Sequence, residues 1–295
     1  DFSGNANVGT FEIVNSDISR NVHYTISGSN VYVAPDAQGN PQGGTIWIMP
    51  NTELAISSAN KDIYTEADPS AVKAGEADGQ FKFVLKKDNT QSNTKIESYC
   101  TDGTAPEAVI TVSELETEDK SFTDQLLSAI TFGVFAREQS SFSLTYSDNQ
   151  SGIKSAEYVI VDVDTYEAGV SGQDADAVID FLSSLGGWKK YTNAEKFNTE
   201  ANIIICARVE DNVGNITYLT SDGVVVDDTE PSLVALSIAG DDQTGIYNHD
   251  VVINVAVDNN TKIYSGIDSI SAEVYVNDNK VEGAIAESGY KGAEG

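Results

Sequence analysis

The chain has 295 residues, of which 40% are hydrophobic and 8% aromatic, so it holds enough apolar material for folded domains and is not a disordered acidic tail. Its 46 acidic residues outnumber its 17 basic residues, which gives a formal net charge of -29. A field of this sign repels phosphate backbones and anionic lipids, so we expect no nucleic-acid partner and no peripheral attachment to a membrane.

The longest apolar runs, residues 108–112 and 203–207, are far shorter than the roughly 20 residues that a membrane-spanning helix needs, and we expect no membrane insertion. The chain starts at Asp1 rather than at methionine, and we expect it to be a piece of a larger protein. Its two cysteines, Cys100 and Cys206, fall at unrelated points of the repeat described below, which predicts two free thiols.

The first third of the chain contains short apolar runs separated by turn residues. Strands are predicted at residues 30–33, 45–49, 81–86 and 95–99, and the last two flank the turn pair Asp88-Asn89. Such short strands joined by turns are typical of all-β folds.

The middle third adds one helix to strands of the same kind. Ser171 and Asp174 have the spacing of a capping box, and Gly186-Gly187 ends the pattern, so a helix is predicted near residues 172–185. The side chains that this helix places on one face are Val178, Phe181, Leu182 and Leu185. A shorter candidate helix covers residues 122–130, and a loop followed by a strand is the alternative there.

A hairpin closes the middle third. Apolar side chains alternate along residues 203–209, which predicts a strand with one buried face. Turn residues at 211–215 reverse the chain, and a second strand is predicted at residues 216–219.

Two landmarks recur at nearly the same interval. Pro106 and Pro231, each at the end of an acidic linker, are 125 positions apart, and the turn residues Asp88 and Asp211 are 123 positions apart. We therefore predict three domains, at residues 1–104, 105–229 and 230–295, each an antiparallel β-sandwich. The third is truncated after strands near 233–238, 251–257 and 272–276.

Four stretches of the middle and third units resemble a known family. They are residues 131–135, 146–153, 207–217 and 227–231. Together they are similar to the tandem immunoglobulin-like modules of large cell-surface, adhesin-type proteins of Gram-positive bacteria. Residues 88–93 depart from the Asp-Asn-x-Gly-Asn pattern of the family.

The resemblance implies an all-β chain of tandem immunoglobulin-like β-sandwich domains, with one helix inserted in the middle domain. It also implies a secreted or cell-wall attached protein on the bacterial surface, whose modules act as stalks, as adhesins or as binders of host glycoproteins, including antibodies. The motif that the chain shares with the family is structural, so no functional residue is carried over.

Nothing in the sequence predicts catalysis. His23 and His249 are the only histidines and fall in different predicted domains, without a nucleophile and an acid nearby. We therefore expect a chain that is not an enzyme.

A calcium site is the candidate for a cofactor. Asp211, Asp227 and Asp228 cluster in sequence around the predicted hairpin and linker, beside Asp241 and Asp242 of the next unit, and calcium prefers such oxygen ligands on loops. The alternative is that these residues only cap turns, which would leave the chain without a cofactor.

An aromatic group is the candidate for a ligand site. Trp188, Tyr191 and Tyr166 lie close in sequence to the predicted helix, and aromatic side chains are enriched in binding hot spots. The alternative is that Trp188 covers the helix on the core.

The leading hypothesis is a non-catalytic extracellular adhesion module that binds a host glycoprotein, glycan or immunoglobulin. One alternative is a structural spacer that presents a distal functional domain, and a weaker one is an accessory fragment of a glycan-active enzyme. We expect the chain to be a monomer.

Overall fold

The structure is a computed structural model. It describes residues 20–87, 91–112, 132–136, 140–197, 200–227, 229–239, 252–258 and 275–282, with Ser271 and Glu273. Several predicted features lie outside these residues, and they are the turn at Asp88-Asn89, the candidate helix at 122–130, Asp228, Asp241, Asp242 and His249.

Strands make up most of the described residues, which confirms the predicted all-β class at the level of secondary structure. The helices are α1 (Arg20–His23), α2 (Val163–Val170) and α3 (Ala175–Ser184). The strands are β1 (Tyr24–Ser27), β2 (Val31–Val33), β3 (Ile46–Ile48), β4 (Glu53–Ser58), β5 (Glu66–Asp68), β6 (Ala71–Lys73), β7 (Gly79–Lys87), β8 (Gln91–Thr101), β9 (Glu107–Val112), β10 (Phe132–Ala136), β11 (Ser141–Ser147), β12 (Ile153–Asp162), β13 (Lys189–Lys190), β14 (Glu195–Lys196), β15 (Ala201–Asp211), β16 (Ile216–Thr220), β17 (Gly223–Val226), β18 (Ser232–Ala239), β19 (Val252–Asp258), β20 (Tyr275–Val276) and β21 (Asn279–Lys280).

Two sheets share one core in the first third of the chain. Their strand orders are β1-β4-β6 and β2-β3-β8-β7-β5. Every second residue of β7 is buried, namely Phe81, Phe83 and Leu85, while Lys82 between them is exposed. The buried cluster runs from residue 24 to residue 99 and draws on both sheets, which is the arrangement of a β-sandwich.

The middle of the chain forms a larger sheet and a smaller one. The larger has the order β10-β17-β15-β12-β13, with β16 also paired to β15, and the smaller has the order β14-β11-β9. The rings of Phe142, Tyr158 and Tyr191 form a cluster. The ring centroids of Phe142 and Tyr158 are 5.1 Å apart, and those of Tyr158 and Tyr191 are 6.5 Å apart. These aromatic side chains connect strands of the two sheets through a common apolar layer.

The centre of the larger sheet differs from the prediction. The alternation along residues 203–209 predicts one buried face, but Ile203, Ile204, Ile205, Cys206 and Ala207 are all buried. The strand is buried on both faces because α2 and α3 cover the face that a simple sandwich leaves in water.

The predicted helix exists, but it begins at a different cap. Asp174 is the N-cap of α3, and its Oδ1 accepts a hydrogen bond from the backbone N–H of Ala177 at 2.9 Å. The predicted cap, Ser171, instead ends α2, because its backbone N–H donates to the carbonyl of Glu167. Val178 and Leu182 are 1% and 0% exposed.

Two strand pairs depart from the predicted antiparallel pattern. β3 runs parallel to β8, with Ile46 opposite Tyr99, and β10 runs parallel to β17. The partners are far apart in sequence, as a parallel pair requires, because a tight hairpin joins only antiparallel strands.

The described end of the chain contains two two-stranded sheets. β18 and β19 pair antiparallel, as do β20 and β21. The first pair matches the predicted strands near 233–238 and 251–257, and β20 lies at the end of the predicted strand at 272–276, of which residues 272 and 274 are outside the described residues.

The chain divides into two compact units. Unit 1 comprises residues 1–108, 146–156 and 208–217, and unit 2 comprises residues 109–145, 157–207 and 218–295. Two segments from the middle of the chain, each made of a turn and the adjoining strand ends, therefore belong to unit 1. The domain boundaries at 104 and 229 remain predictions. Among the described residues, no helix has the length and the apolar character that crossing a membrane requires.

Candidate functional site

Two of the three aromatic residues predicted to bind a ligand lie in the interior of unit 2. Tyr166 is 3% exposed and packs with Val178 and Leu182 between α2, α3 and the sheet. Tyr191 is 8% exposed, and its hydroxyl oxygen accepts a hydrogen bond from the backbone N–H of Leu144 at 3.0 Å. Buried in this way, neither ring presents a face to a ligand.

Trp188 is the most exposed of the three. It packs partly against the core cluster, and its ring lies at an angle to that of Tyr218, with the ring centroids 6.4 Å apart. The next two residues, Lys189 and Lys190, are exposed. Trp188 therefore covers the end of the helical layer and keeps part of its ring accessible.

A second cluster lies in unit 1 and consists of three aspartates. One carboxylate oxygen from each of Asp102, Asp148 and Asp211 lies within 4.8 Å of the others. Asp102 and Asp211 are 0% exposed, and Asp148 is half-buried. Buried carboxylates this close repel one another, and the cost of burying them is large unless a cation or hydrogen bonds compensate.

Backbone N–H groups hold the Asp211 carboxylate. Its Oδ1 accepts hydrogen bonds from the N–H groups of Val213, Gly214 and Asn215 at 2.9, 2.6 and 2.9 Å, and its Oδ2 accepts one from Asn215 Nδ2 at 2.6 Å. Gly214 has a φ of +100°, and a Cβ there would lie 2.9 Å from Asn30 Nδ2. The turn after β15 thus requires glycine at this position.

The other two carboxylates are held in the same manner. Asp102 accepts from the N–H groups of Thr104 at 3.1 Å and Ser151 at 3.0 Å. Asp148 accepts from the N–H of Gln150 at 3.3 Å and from that of Gly152. The three turns therefore converge through main-chain donors, which fixes where the carboxylates point.

Side-chain amides join the turns to one another. Asn212 Nδ2 donates to the carbonyls of Ser151 and Gly152 at 2.8 and 2.9 Å, and Asn215 Nδ2 donates to the carbonyl of Asp102 at 3.2 Å. Asn30 Nδ2 donates to the carbonyl of Val213 at 2.8 Å. The aspartate cluster is therefore part of the hydrogen-bond network of unit 1 and is not a set of surface acids that merely lie near one another.

No basic side chain neutralises the cluster within the described part of the chain. The ion pairs found there join other residues, such as Lys154 with Glu210 at 2.7 Å. Burial raises the pKa of the Asp211 carboxyl above its ordinary value, and the charge of Asp102 adds to this, although hydrogen bonds from Asn215 and Gly214 oppose it. The three oxygens form an arrangement suited to a cation.

The three predicted metal ligands are not brought together as a set. Asp211 belongs to the aspartate cluster, and Asp227 lies in unit 2, where its Oδ1 accepts a hydrogen bond from the backbone N–H of Thr229 at 3.1 Å. Asp228 lies outside the described residues. Sequence reasoning missed Asp102 and Asp148 as partners of Asp211, although each aspartate is followed within four residues by a glycine.

Both cysteines are free thiols, as predicted. Cys206 is buried beneath the helices, and Cys100 is half-buried at the end of β8.

A comparison of the chain with models of known protein families finds no match, and a comparison with curated proteins finds none either.

Proposed function

We propose that the chain is a non-catalytic run of tandem immunoglobulin-like β-sandwich domains from a secreted or wall-attached bacterial surface protein, and that it serves as a spacer for a distal binding domain. The all-β architecture and the two separate cores support this proposal. The bacterial surface location rests on the resemblance of residues 131–135, 146–153, 207–217 and 227–231 to the family named above.

The inward packing of the helical insertion is the observation that favours a spacer over a binding module. Inserted elements often carry binding specificity, but α2 and α3 place their apolar faces on the sheet. Tyr166 and Tyr191, which would anchor a ligand, are buried as well. The insertion therefore enlarges the core of unit 2, and its exposed face is polar, with Asp176 and Asp180 among its residues.

The adhesion hypothesis keeps one specific observation in its favour. Trp188 retains an accessible part of its ring beside the exposed side chains of Lys189 and Lys190. A partly exposed tryptophan followed in sequence by two exposed lysines fits a contact with a host glycoprotein, glycan or immunoglobulin. The same residue can therefore distinguish the two functions.

The test compares the full chain with a Trp188→Ala variant. If the chain is a spacer, it retains neither mucin, nor glycan, nor immunoglobulin in a pull-down. The substitution then only lowers the free energy of unfolding, by about 2 kcal/mol, which is less than the loss for a fully buried tryptophan. An adhesin retains one of these ligands, and the variant loses it.

A Lys189→Ala, Lys190→Ala double variant is the matched control, because it removes exposed charge without touching the core. Its free energy of unfolding should equal that of the unmodified chain within about 0.5 kcal/mol. Retention of a host ligand that depends on Trp188 and on this lysine pair would replace the spacer with the adhesion function.

A further inference from the structure

We propose that Asp102, Asp148 and Asp211, together with the hydroxyl of Ser151, form a calcium-binding site in unit 1. This inference is independent of the spacer function, because it concerns what completes the fold of unit 1 and not what the chain carries or binds outside itself. The aspartate cluster has the geometry described above, and a second observation at the same place points to a ligand.

The second observation is the side chain of Ser151. The residue is 5% exposed, and its Oγ is buried with no hydrogen-bond partner among the residues that the structure describes. Buried hydroxyl groups are almost always satisfied, and an unpaired one costs roughly 1–3 kcal/mol. A partner that the described residues do not supply is therefore expected beside this atom.

Ser151 is held within the cluster by all three turns. Its own N–H donates to Asp102 Oδ2 at 3.0 Å, and the N–H of the following residue, Gly152, donates to Asp148 Oδ2. Its carbonyl accepts from Asn212, the neighbour of Asp211. Standard bond lengths keep Oγ within about 4 Å of its own backbone nitrogen, which donates to Asp102 Oδ2, so the unpaired hydroxyl lies within roughly 7 Å of that carboxylate oxygen.

The donor set selects a hard cation. The cluster offers carboxylate and hydroxyl oxygens, and neither histidine nor cysteine belongs to it, which disfavours zinc and copper. The net charge of -29 on the whole chain also raises the local concentration of cations.

The spacing favours calcium over magnesium. Two oxygens bound to one ion are separated by at most twice the ion–oxygen distance, which is about 5 Å for calcium and about 4 Å for magnesium. The oxygens of the cluster lie within 4.8 Å of one another, which is inside the limit for calcium. Calcium also accepts irregular geometry, so waters can complete a coordination shell that the protein supplies in part.

The carboxylates retain acceptor capacity for an ion. Each carboxylate oxygen has two lone pairs, and both oxygens of Asp102 and of Asp148 accept one hydrogen bond each. Within the described part of the chain, Asp211 Oδ2 accepts a single hydrogen bond, from Asn215. The main-chain donors therefore orient the three groups and leave at least one lone pair of each free for the cation.

The test is a titration of the chelator-treated full chain with calcium, followed by calorimetry and by thermal unfolding. We expect one strong site and a melting temperature that rises with calcium concentration, because an ion that binds only the folded state stabilises it. Magnesium at equal concentration controls for general screening of the negative charge and should give a clearly smaller shift.

Two variants locate the site. Asp148→Asn keeps an acceptor oxygen for only one of the two turn hydrogen bonds and removes a charge, and it should weaken calcium binding about 10-fold or more. Ser151→Ala should weaken binding as well, yet its melting temperature without calcium should not fall, because the substitution removes an unsatisfied buried hydroxyl. If Ser151 only supported the fold, its replacement would lower the melting temperature without calcium as well as weaken calcium binding.

Asp36→Asn is the matched control. Asp36 accepts turn hydrogen bonds from the N–H groups of Gln38 and Asn40 in the same unit, and it lies outside the cluster. Its calcium response should equal that of the unmodified chain. Identical melting curves with calcium and with chelator would overturn the proposal, as would an unchanged response in both Asp148→Asn and Ser151→Ala or an equal response to magnesium.

Discussion

Cys206 shows how burial controls the chemistry of a single residue. The side chain is 0% exposed between the sheet and the two helices, and burial raises the pKa of its thiol to about 12. At pH 8 only about 10⁻⁴ of the thiol is then ionised, and the thiolate is the reactive form. Cys100 is half-buried, and its pKa is also raised, first by burial and then by the charge of Asp78.

We therefore predict that a thiol reagent at pH 8 modifies Cys100 slowly and Cys206 not at all in the folded chain. Denaturant should expose both thiols, which intact-mass measurement would count as two adducts. The Cys100→Ser variant should take up no reagent until it unfolds. Two adducts on the folded chain would show that the layer over Cys206 opens readily.

The sequence located only part of the candidate site, and the reason is visible at single residues. The sequence indicates Asp211 because this residue follows a clear strand and begins a turn of asparagine and glycine. Its partners, Asp102 and Asp148, come from turns more than 60 positions away from it, and only the tertiary fold brings them together. Tyr166 is predicted to contact a ligand but is buried, because composition alone does not distinguish a buried aromatic ring from an exposed one.

At the scale of elements, α3 was predictable and α2 was not. The spacing of Val178, Leu182 and their neighbours matches a helical face, and glycines follow the last turn. The sequence of α2, VDTYEAGV, contains two valines, a tyrosine and a glycine, so its local preference does not indicate a helix. Packing against the sheet and the cap at Asp162 favour the helical state there.

The cap of α3 leads to a prediction about stability. Replacing Asp174 with alanine removes the acceptor for the N–H of Ala177 and should lower the free energy of unfolding by about 1 kcal/mol. Denaturation by urea, followed by circular dichroism, would measure this change.

Asp180→Ala is the control on the same helix, since Asp180 is exposed and does not cap it. The free energy of unfolding of this variant should stay within about 0.5 kcal/mol of that of the unmodified chain. An equal loss of free energy of unfolding in both variants would indicate that the charge on the helix, and not the cap, accounts for the loss of stability.

At the scale of the whole molecule, the excess of acidic residues opposes folding. A net charge of -29 brings like charges together when the chain becomes compact, and salt screens this repulsion. We predict that the melting temperature of the chelator-treated chain rises between about 0.01 M and 0.15 M sodium chloride, over which the Debye length falls from about 30 Å to about 8 Å.

Sucrose, which is uncharged, is the control for effects of added solute other than screening. It should leave the dependence on salt unchanged. A melting temperature that does not respond to sodium chloride would show that the acidic groups lie too far apart in the folded chain for their repulsion to lower its stability.

The repeat in the sequence predicts a separate core for each domain. The described residues include two apolar clusters formed by different residues, 24–99 and 161–218, and the domain division itself stays a prediction. The sequence does not predict the parallel strand pairs, because strand order depends on contacts between distant segments and not on local pattern.

The parallel pairing of β10 with β17 has a mechanical consequence. Phe132, Val134, Phe135 and Ala136 lie opposite residues 223–226, and the two strands point in the same direction. A force that pulls them apart along their axes shears the whole ladder, so its hydrogen bonds resist together, whereas a hairpin opened from its end loses them one at a time. This sheet is therefore built to withstand tension along its strands better than peeling.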